Sequence, residues 1–229
     1  MKKLYKLEHY GKDKQGWLAH RGIGGSSVSA LYGKNKYKNA LDIYCASVNP
    51  TEEKKDKDTP NTLHGKRVEK PVAEIFASHH PEYILKYPRD ITMARRIDKP
   101  FMTYTPDALL IEVETGRKGI YEGKTRVVQN KKEADDWRAG ILPQQYVLQV
   151  LQGLAVMNDY EFIELNVELV FINYDTGKYS HSELFSKKLE RSKCEAQILD
   201  VERVQTDFEE NHIQKQIPPD LEIEIEYEE

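Results

Sequence analysis

Three ionisable residues near the middle of the chain have the types and the spacing of a hydrolytic metal site. Asp107 follows a Thr-Pro dipeptide, and Glu122 comes fifteen residues later in the tripeptide Glu-Gly-Lys that ends at Lys124. In a strand, positions i and i+2 point to the same face, so Glu122 and Lys124 share a face. Hairpin pairing with the preceding strand would add Asp107 to them. Two carboxylates with open coordination positions suit Mg²⁺, and a lysine can stabilise developing negative charge.

A structural interpretation of the same residues stays open at this point. Glu-x-Lys in a strand is commonly a surface ion pair, which contributes little to stability. Pro-Asp is a common turn dipeptide. The residue types alone therefore do not choose between an ion pair beside a turn and a metal site.

The elements that must position these residues follow from hydrophobic periodicity. Period-two or β-rich stretches predict strands, and apolar residues at i, i+4, i+7 and i+8 predict helices. Strands are expected at residues 83–93, 101–113, 120–128, 162–174 and 178–185, with a turn at 116–119. Helices are expected at residues 142–157 and 186–212, and also after Gly65, where Pro71 would lie in the first turn or kink the helix. This order predicts an α/β fold with a central mixed β-sheet flanked by α-helices.

Two other stretches carry local signals. Residues 50–62 are rich in Pro, Lys and Asp, which is typical of a loop. Residues 22–27 read Gly-Ile-Gly-Gly-Ser-Ser before an apolar run, a pattern that favours a helix start able to bind an anion. No Gly-Lys-Ser/Thr follows these glycines, so the use of ATP is not expected.

Composition excludes several protein classes. The chain has 229 residues, of which 39% are hydrophobic and 31% charged, as in a soluble globular protein. Two cysteines exclude a disulfide scaffold, a four-cysteine zinc site and an iron–sulfur cluster held by this chain alone. No long apolar stretch predicts a membrane span, and the N-terminus lacks the apolar core of a secretory signal. A cytoplasmic location is the expectation.

Charge is distributed unevenly along the chain. The net charge is −4, but residues 1–40 hold nine Lys or Arg and two Asp or Glu. Residues 195–229 hold two basic and twelve acidic residues, and six of the acidic ones lie in an acidic tail at about 213–229. A basic N-terminal part could face a phosphate polyanion. A solvated surface with an acidic tail explains the same distribution.

Five sequence blocks in order resemble the YqaJ-type viral recombinases, a lambda-exonuclease-like family of the PD-(D/E)xK nuclease superfamily. The resemblance covers roughly residues 15–175. The blocks are Trp17–Ser27, Gly65–Glu69, Thr105–Asp107, Glu122–Lys124 and Leu142–Val156. Thr105 stands where the family's best-known member has serine, and Ser27 stands where many members have an acidic residue. The resemblance implies a single nuclease domain over residues 1–229 with a restriction-endonuclease-like core.

The resemblance also implies roles for individual residues. The implied metal ligands are Asp107, Glu122, the backbone carbonyl of Gly123 and, for a second ion, Glu69. Lys124 and Gln149 would position the attacking water. A 5′-terminal phosphate would be held by Arg21, Ser26 and Thr105.

The function implied is a Mg²⁺-dependent 5′-to-3′ double-strand DNA exonuclease that leaves 3′ overhangs for phage-type recombination. Two ions are expected, with Mn²⁺ as a substitute. The implied partners are DNA ends, two further copies of the chain in a homotrimer, and a single-strand annealing protein. Two alternatives are a restriction-type or repair endonuclease on the same core and a non-catalytic module that binds DNA ends.

Overall fold

The computed structural model describes residues 2–49, 59–173, 176 and 178–220. Its helices are α1 Lys14–His20, α2 Gly25–Leu31, α3 Ala40–Val48, α4 Pro60–His79, α5 Lys131–Arg138, α6 Gln144–Val156 and α7 Arg191–Phe208, followed by a π-helical turn Glu209–Ile213. Its strands are β1 Tyr5–His9, β2 Tyr83–Lys86, β3 Thr92–Arg96, β4 Thr103–Tyr104, β5 Ala108–Glu112, β6 Lys118–Val127, β7 Phe162–Ile172 and β8 Tyr179–Glu190.

The strands form two sheets. The larger sheet has the order β2-β5-β6-β7-β8, and the smaller sheet has the order β1-β3-β4. In the larger sheet only the β6–β7 pair is parallel, and α5 and α6 supply the crossover that a parallel pair requires. The predicted mixed sheet flanked by helices is confirmed.

Strand β7 is the centre of the larger sheet. Nine consecutive residues from Phe162 to Val170 are buried, because helices cover both faces. One face carries Ile163, Leu165 and Val167 into the main core with α2, α6 and α7. The other face meets α4 through Phe162. Strand β6 lies beside β7, so its side chains also reach one of these two cores.

Two strands expected from the sequence are each divided between the two sheets. Residues 83–93 form β2 and β3, and residues 101–113 form β4 and β5. The divisions fall at Pro88 and Pro106. Proline has no N–H to donate to a ladder, so pairing stops there and the chain can pass to another sheet. The predictions of continuous strands were wrong at these points.

Helix α4 begins earlier than the sequence suggested. Thr59 and Thr62 form a reciprocal capping box, and Pro60 occupies the first turn. Pro71 therefore lies inside the helix, not in its first turn. Of the predicted loop, residues 50–58 lie outside the described part, and residues 60–62 are helical.

The C-terminal elements follow the prediction with shifted boundaries. The hairpin partner of β7 extends to Glu190, so helix α7 begins at Arg191 and not at residue 186. Residues 221–229 of the acidic tail lie outside the described part of the chain. Among the described residues, no helix combines the length and the apolar character needed to cross a membrane.

Candidate active site

Pairing of β5 with β6 places Asp107 beside Gly123. Ala108 lies opposite Tyr121 in antiparallel register, and Asp107 comes directly before that pair. The backbone N–H of Gly123 donates to Oδ2 of Asp107 at 2.8 Å. Since the N–H and C=O of one residue in an extended strand point to the same edge, the Gly123 carbonyl is directed to the Asp107 side of β6.

Glu122 is the most deeply buried carboxylate of this cluster, with 1% of its surface exposed. It lies on the face of β6 that also carries Ile120 into the main core. Lys124 Nζ lies 2.5 Å from its Oε1, and Gln149 Nε2 donates to the same oxygen. The hydroxyl of Tyr104 donates to Oε2. A buried carboxylate needs such donors, because burial of an unpaired charge is very costly.

The electrostatics of the cluster show an excess of negative charge. Burial raises the pKa of Glu122 to about 7; the ammonium of Lys124 opposes the rise and the carboxylate of Asp107 adds to it. Burial opposes the charge of Lys124, but Glu122 and Asp107 outweigh that effect and raise its pKa above the ordinary value. A cation placed between the carboxylates would relieve their repulsion.

Glu69 approaches the same cluster from α4. Burial raises its pKa and Asp107 raises it further, while Lys124 opposes the rise. The residue as a whole remains exposed, so its carboxyl is only partly desolvated. Glu69 is therefore within electrostatic reach of Asp107 and Lys124, and it belongs to no hydrogen bond of the Glu122 network.

The donor set fits a hard divalent cation in its chemistry. Asp107, Glu122 and the Gly123 carbonyl offer the oxygen ligands that Mg²⁺ prefers. Each carboxylate oxygen has two lone pairs, so the donors on Glu122 leave acceptor capacity for a metal. Among the described residues, no three His, Cys, Asp or Glu side chains form a ready metal cage. Such an ion would thus complete its coordination sphere with water and substrate oxygens.

The residues assigned to the end phosphate converge on a separate small cleft. A guanidinium nitrogen of Arg21 donates to the Ser26 hydroxyl at 2.7 Å, and the guanidinium lies 5.1 Å from the centre of the Trp17 ring. The indole N–H of Trp17 donates to the Thr105 hydroxyl at 3.1 Å. The cleft is lined by Arg21, Gly24, Gly25, Ser26, Thr103, Tyr104, Thr105 and Gln149.

The cleft and the carboxylates share a wall. Gln149 and Tyr104 both line the cleft and both donate to Glu122. A Cβ atom at Gly25 would lie 2.9 Å from Cγ of Gln149 and 3.3 Å from the Tyr104 ring. Only glycine at position 25 leaves both side chains in place.

Two residues of this site were not assigned roles from the sequence. Trp17 lies within the first matching block, but its contact with Thr105 spans 88 residues. Tyr104 reaches Glu122 from the smaller sheet. Its position two residues before Pro106 was the only feature of the sequence that placed Tyr104 near the site.

The sequence model of the YqaJ-like viral recombinase domain matches residues 16–161, more than half of the chain. The chain belongs to the YqaJ-like viral recombinase family. The family resemblance of the five sequence blocks is confirmed. One curated relative is the uncharacterized protein YqaJ of Bacillus subtilis strain 168, which is 28% identical over 145 residues. That match covers 62% of this chain and 41% of the length of the relative.

Solved structures share the fold of this YqaJ-like chain. The crystal structure of an alkaline exonuclease, LHK-Exo, from Laribacter hongkongensis has a TM-score of 0.62 at 15% identity, covering 89% of this chain and 94% of that one. A phage-related exonuclease from Haemophilus somnus 129PT gives 0.53 at 13% identity, over 86% and 97% of the two chains. A SOX protein in complex with DNA gives 0.52 at 10% identity, over 87% and 67%. The restriction-endonuclease-like core expected from the sequence is thereby confirmed as the fold.

Proposed function

We propose that this YqaJ-like protein is a Mg²⁺-dependent double-strand DNA exonuclease that digests one strand from a 5′-phosphorylated end and leaves a 3′ overhang. Family membership supports a role on DNA, and the fold is one that proteins described as exonucleases also adopt. The chemistry rests on the site. Its two parts are a cleft with a guanidinium and hydroxyls, and a carboxylate cluster with a lysine.

The single observation that carries the proposal is the shared wall between these two parts. Gln149 and Tyr104 touch Glu122 on one side and line the cleft on the other. A phosphate anchored in the cleft would therefore hold a nearby phosphodiester at the carboxylates. Positioning of this kind favours cleavage close to an end over cleavage within a duplex.

Each side chain has a distinct task in this proposal. Arg21 offers a planar fork of donors to the terminal phosphate, and the Ser26 and Thr105 hydroxyls add neutral hydrogen bonds. Asp107, Glu122 and the Gly123 carbonyl would hold one Mg²⁺, and Glu69 would reach a second. When bound, Mg²⁺ supplies Lewis-acid chemistry by lowering the pKa of a bound water and neutralising charge on the phosphoryl group. Mn²⁺, which takes the same oxygen ligands, is expected to substitute.

Lys124 and Gln149 act on the water and on the developing charge. Both already donate to the same oxygen of Glu122, so they lie at the carboxylate that would face the reacting phosphodiester. Their N–H groups can orient a water molecule between Glu122 and the substrate. The charge of Lys124 also stabilises the negative charge that builds up during attack.

The direct test is digestion of a linear duplex labelled separately at its 5′ and 3′ ends, with a supercoiled circle of the same sequence as a second substrate. We expect Mg²⁺-dependent loss of the 5′ label from linear DNA and an intact circle. Asp107→Asn should abolish cleavage, while binding to DNA ends persists because carboxylate–phosphate repulsion falls. Asp135→Asn on the surface of α5 makes the same chemical change outside the site and should digest normally.

The alternatives give different results in the same experiment. An endonuclease of the restriction or repair type would cut the circle. A non-catalytic module would bind ends and leave both substrates whole. Activity of the wild type in excess chelator would refute the metal mechanism.

Assembly is a separate part of the proposal. We infer a homotrimer that acts with a single-strand annealing protein in the cytoplasm of a bacterial host. The uneven charge supports this assembly, because a basic N-terminal part and an acidic C-terminal part can meet across subunit contacts or line a DNA channel.

A further inference from the structure

Two glutamine side chains are fully buried between α6 and α7. Gln152 and Gln205 each have 0% of their surface exposed. The amide nitrogen of Gln205 donates to Oε1 of Gln152 at 2.7 Å and to the carbonyl of Val201 at 2.9 Å. The amide nitrogen of Gln152 in turn lies 3.1 Å from Oε1 of Gln205, so the two amides form a reciprocal pair. Burial of two amides among apolar residues is costly unless their hydrogen bonds are made. Two leucines would fill the same space without that cost, so the amides are expected to make hydrogen bonds that matter to the site.

The nitrogen of Gln152 is directed at both walls of the cleft. It lies 2.9 Å from the carbonyl oxygen of Ile23 and 3.2 Å from that of Thr103. Two carbonyl acceptors identify this atom as the donor nitrogen of the amide. Ile23 directly precedes Gly24, and Thr103 directly precedes Tyr104, so each carbonyl belongs to the backbone that enters one wall.

The two walls also meet each other at this point. The N–H of Thr103 donates to the Ile23 carbonyl at 3.1 Å, and the N–H of Ile23 donates to Phe101 at 2.7 Å. The Ile23 carbonyl therefore accepts from Thr103 and Gln152 together. One buried side chain ties the glycine segment and the smaller sheet to helix α6.

Helix α6 carries Gln149 one turn before Gln152. Residues i and i+3 lie on neighbouring parts of one helix face. Gln149 contacts the carboxylate cluster and Gln152 contacts the cleft walls, so the rigid helix backbone between them sets the separation of the two parts of the site.

We propose that Gln152 is a positioning residue that fixes the end-phosphate cleft relative to the carboxylate cluster. This inference deepens the proposed function and rests on it. Gln152 touches neither Glu122 nor the cleft surface; it acts through the backbone of the residues that do. A small displacement of the cleft relative to the carboxylates is enough to lower the rate strongly.

The test compares Gln152→Met with Gln205→Met. Both changes remove one buried amide of the same pair and keep a side chain of similar length. Both variants remove the contacts between the two amides, but only Gln152→Met also removes the donor to the carbonyls of Ile23 and Thr103. A general loss of stability affects both variants, so their difference isolates the contact with the cleft walls.

The functional readout is the ratio of single-turnover rates on 5′-phosphorylated and 5′-hydroxyl duplex. We expect Gln152→Met to lower this ratio by about tenfold and Gln205→Met to keep it within about twofold of wild type. Hydrogen exchange supplies a readout independent of activity. Exchange at the amides of Ile23 and Thr103, taken relative to amides of β7, should accelerate about tenfold in Gln152→Met alone.

The possible results separate the two proposals. Equal losses of the ratio in both variants, or an unchanged ratio in Gln152→Met, would overturn the positioning role. A wild type that ignores the 5′ phosphate would refute the cleft assignment, and the exchange ratio would then decide alone whether Gln152 holds the two segments. Unchanged hydrogen exchange at Ile23 and Thr103 in Gln152→Met would show that Gln152 does not hold these segments.

Discussion

Arg21 is the residue whose replacement tests the end-phosphate cleft most sharply. Its guanidinium donates to Ser26 at 2.7 Å and packs over the Trp17 ring. These contacts within the protein hold the side chain in the cleft, so little ordering entropy opposes its contact with a phosphate. Arg21→Ala should remove nearly all of the free energy that the guanidinium–phosphate contact contributes.

The magnitude follows from the chemistry of the contact. A hydrogen bond to a charged group contributes about 1.5–3 kcal/mol. If the contact forms only with a terminal phosphate, its loss corresponds to about ten- to hundred-fold in rate on 5′-phosphorylated ends. The rate on 5′-hydroxyl ends should change little. Arg21→Lys should fall between these limits, because lysine keeps the charge and loses the planar fork.

The assay is single-turnover cleavage of two duplexes that differ only in the 5′ phosphate. Arg203→Ala is the matched control, since it removes an arginine from the surface of α7, where it pairs with Asp200 and Asp207. It should retain the preference of the wild type. An indifferent wild type, or an Arg21→Ala variant with the full preference, would show that the cleft does not bind the end phosphate.

Three further predictions concern the carboxylate cluster and the assembly. Tyr104→Phe removes a donor to Glu122, and the Mg²⁺ concentration for half-maximal rate should rise about ten- to hundred-fold; an unchanged Mg²⁺ titration would contradict this. The pKa of Glu122 is raised to about 7, so the folded protein holds the proton of this carboxyl more tightly than the unfolded chain does. Without metal, the free energy of unfolding should therefore fall as pH rises from about 4.5 to 7. The fall should be at most about 3 kcal/mol. Urea titrations should show a clearly larger fall in wild type than in Glu122→Gln, and an equal fall in both would exclude Glu122 as its cause. Light scattering at working concentration should give the mass of three chains, and a monomer would remove the trimer while leaving the nuclease proposal intact.

The fold could be predicted where periodicity is local. Alternation along residues 162–174 and the helical pattern of residues 142–157 gave β7 and α6 within two residues at each end. The division of a strand between two sheets was not predicted, because period-two alternation carries no information about the partner strand. Pro88 and Pro106 were the available signals, and both lie at the breaks.

From residue spacing, the site could be predicted along β6 and its adjoining hairpin, but not between distant elements. Period two placed Glu122 and Lys124 on one face, and the turn before β6 placed Asp107 near them, as the structure shows. The donors from Tyr104 and Gln152 belong to other elements, 18 residues from Glu122 and 129 residues from Ile23 respectively. Contacts between such distant segments depend on packing, which the pattern of one segment cannot specify.

The tripeptide Thr105-Pro106-Asp107 explains why the two parts of the site lie so close together. Pro106 ends pairing with the smaller sheet on one side and precedes pairing with the larger sheet on the other. Thr105 therefore stays at the cleft, where Trp17 holds its hydroxyl, and Asp107 turns to the N–H of Gly123. Two residues of extended chain span at most about 7 Å. In the proposed function, a phosphate held at Thr105 would present only a phosphodiester near its own end to Asp107, so the junction of the two sheets would favour action at DNA ends.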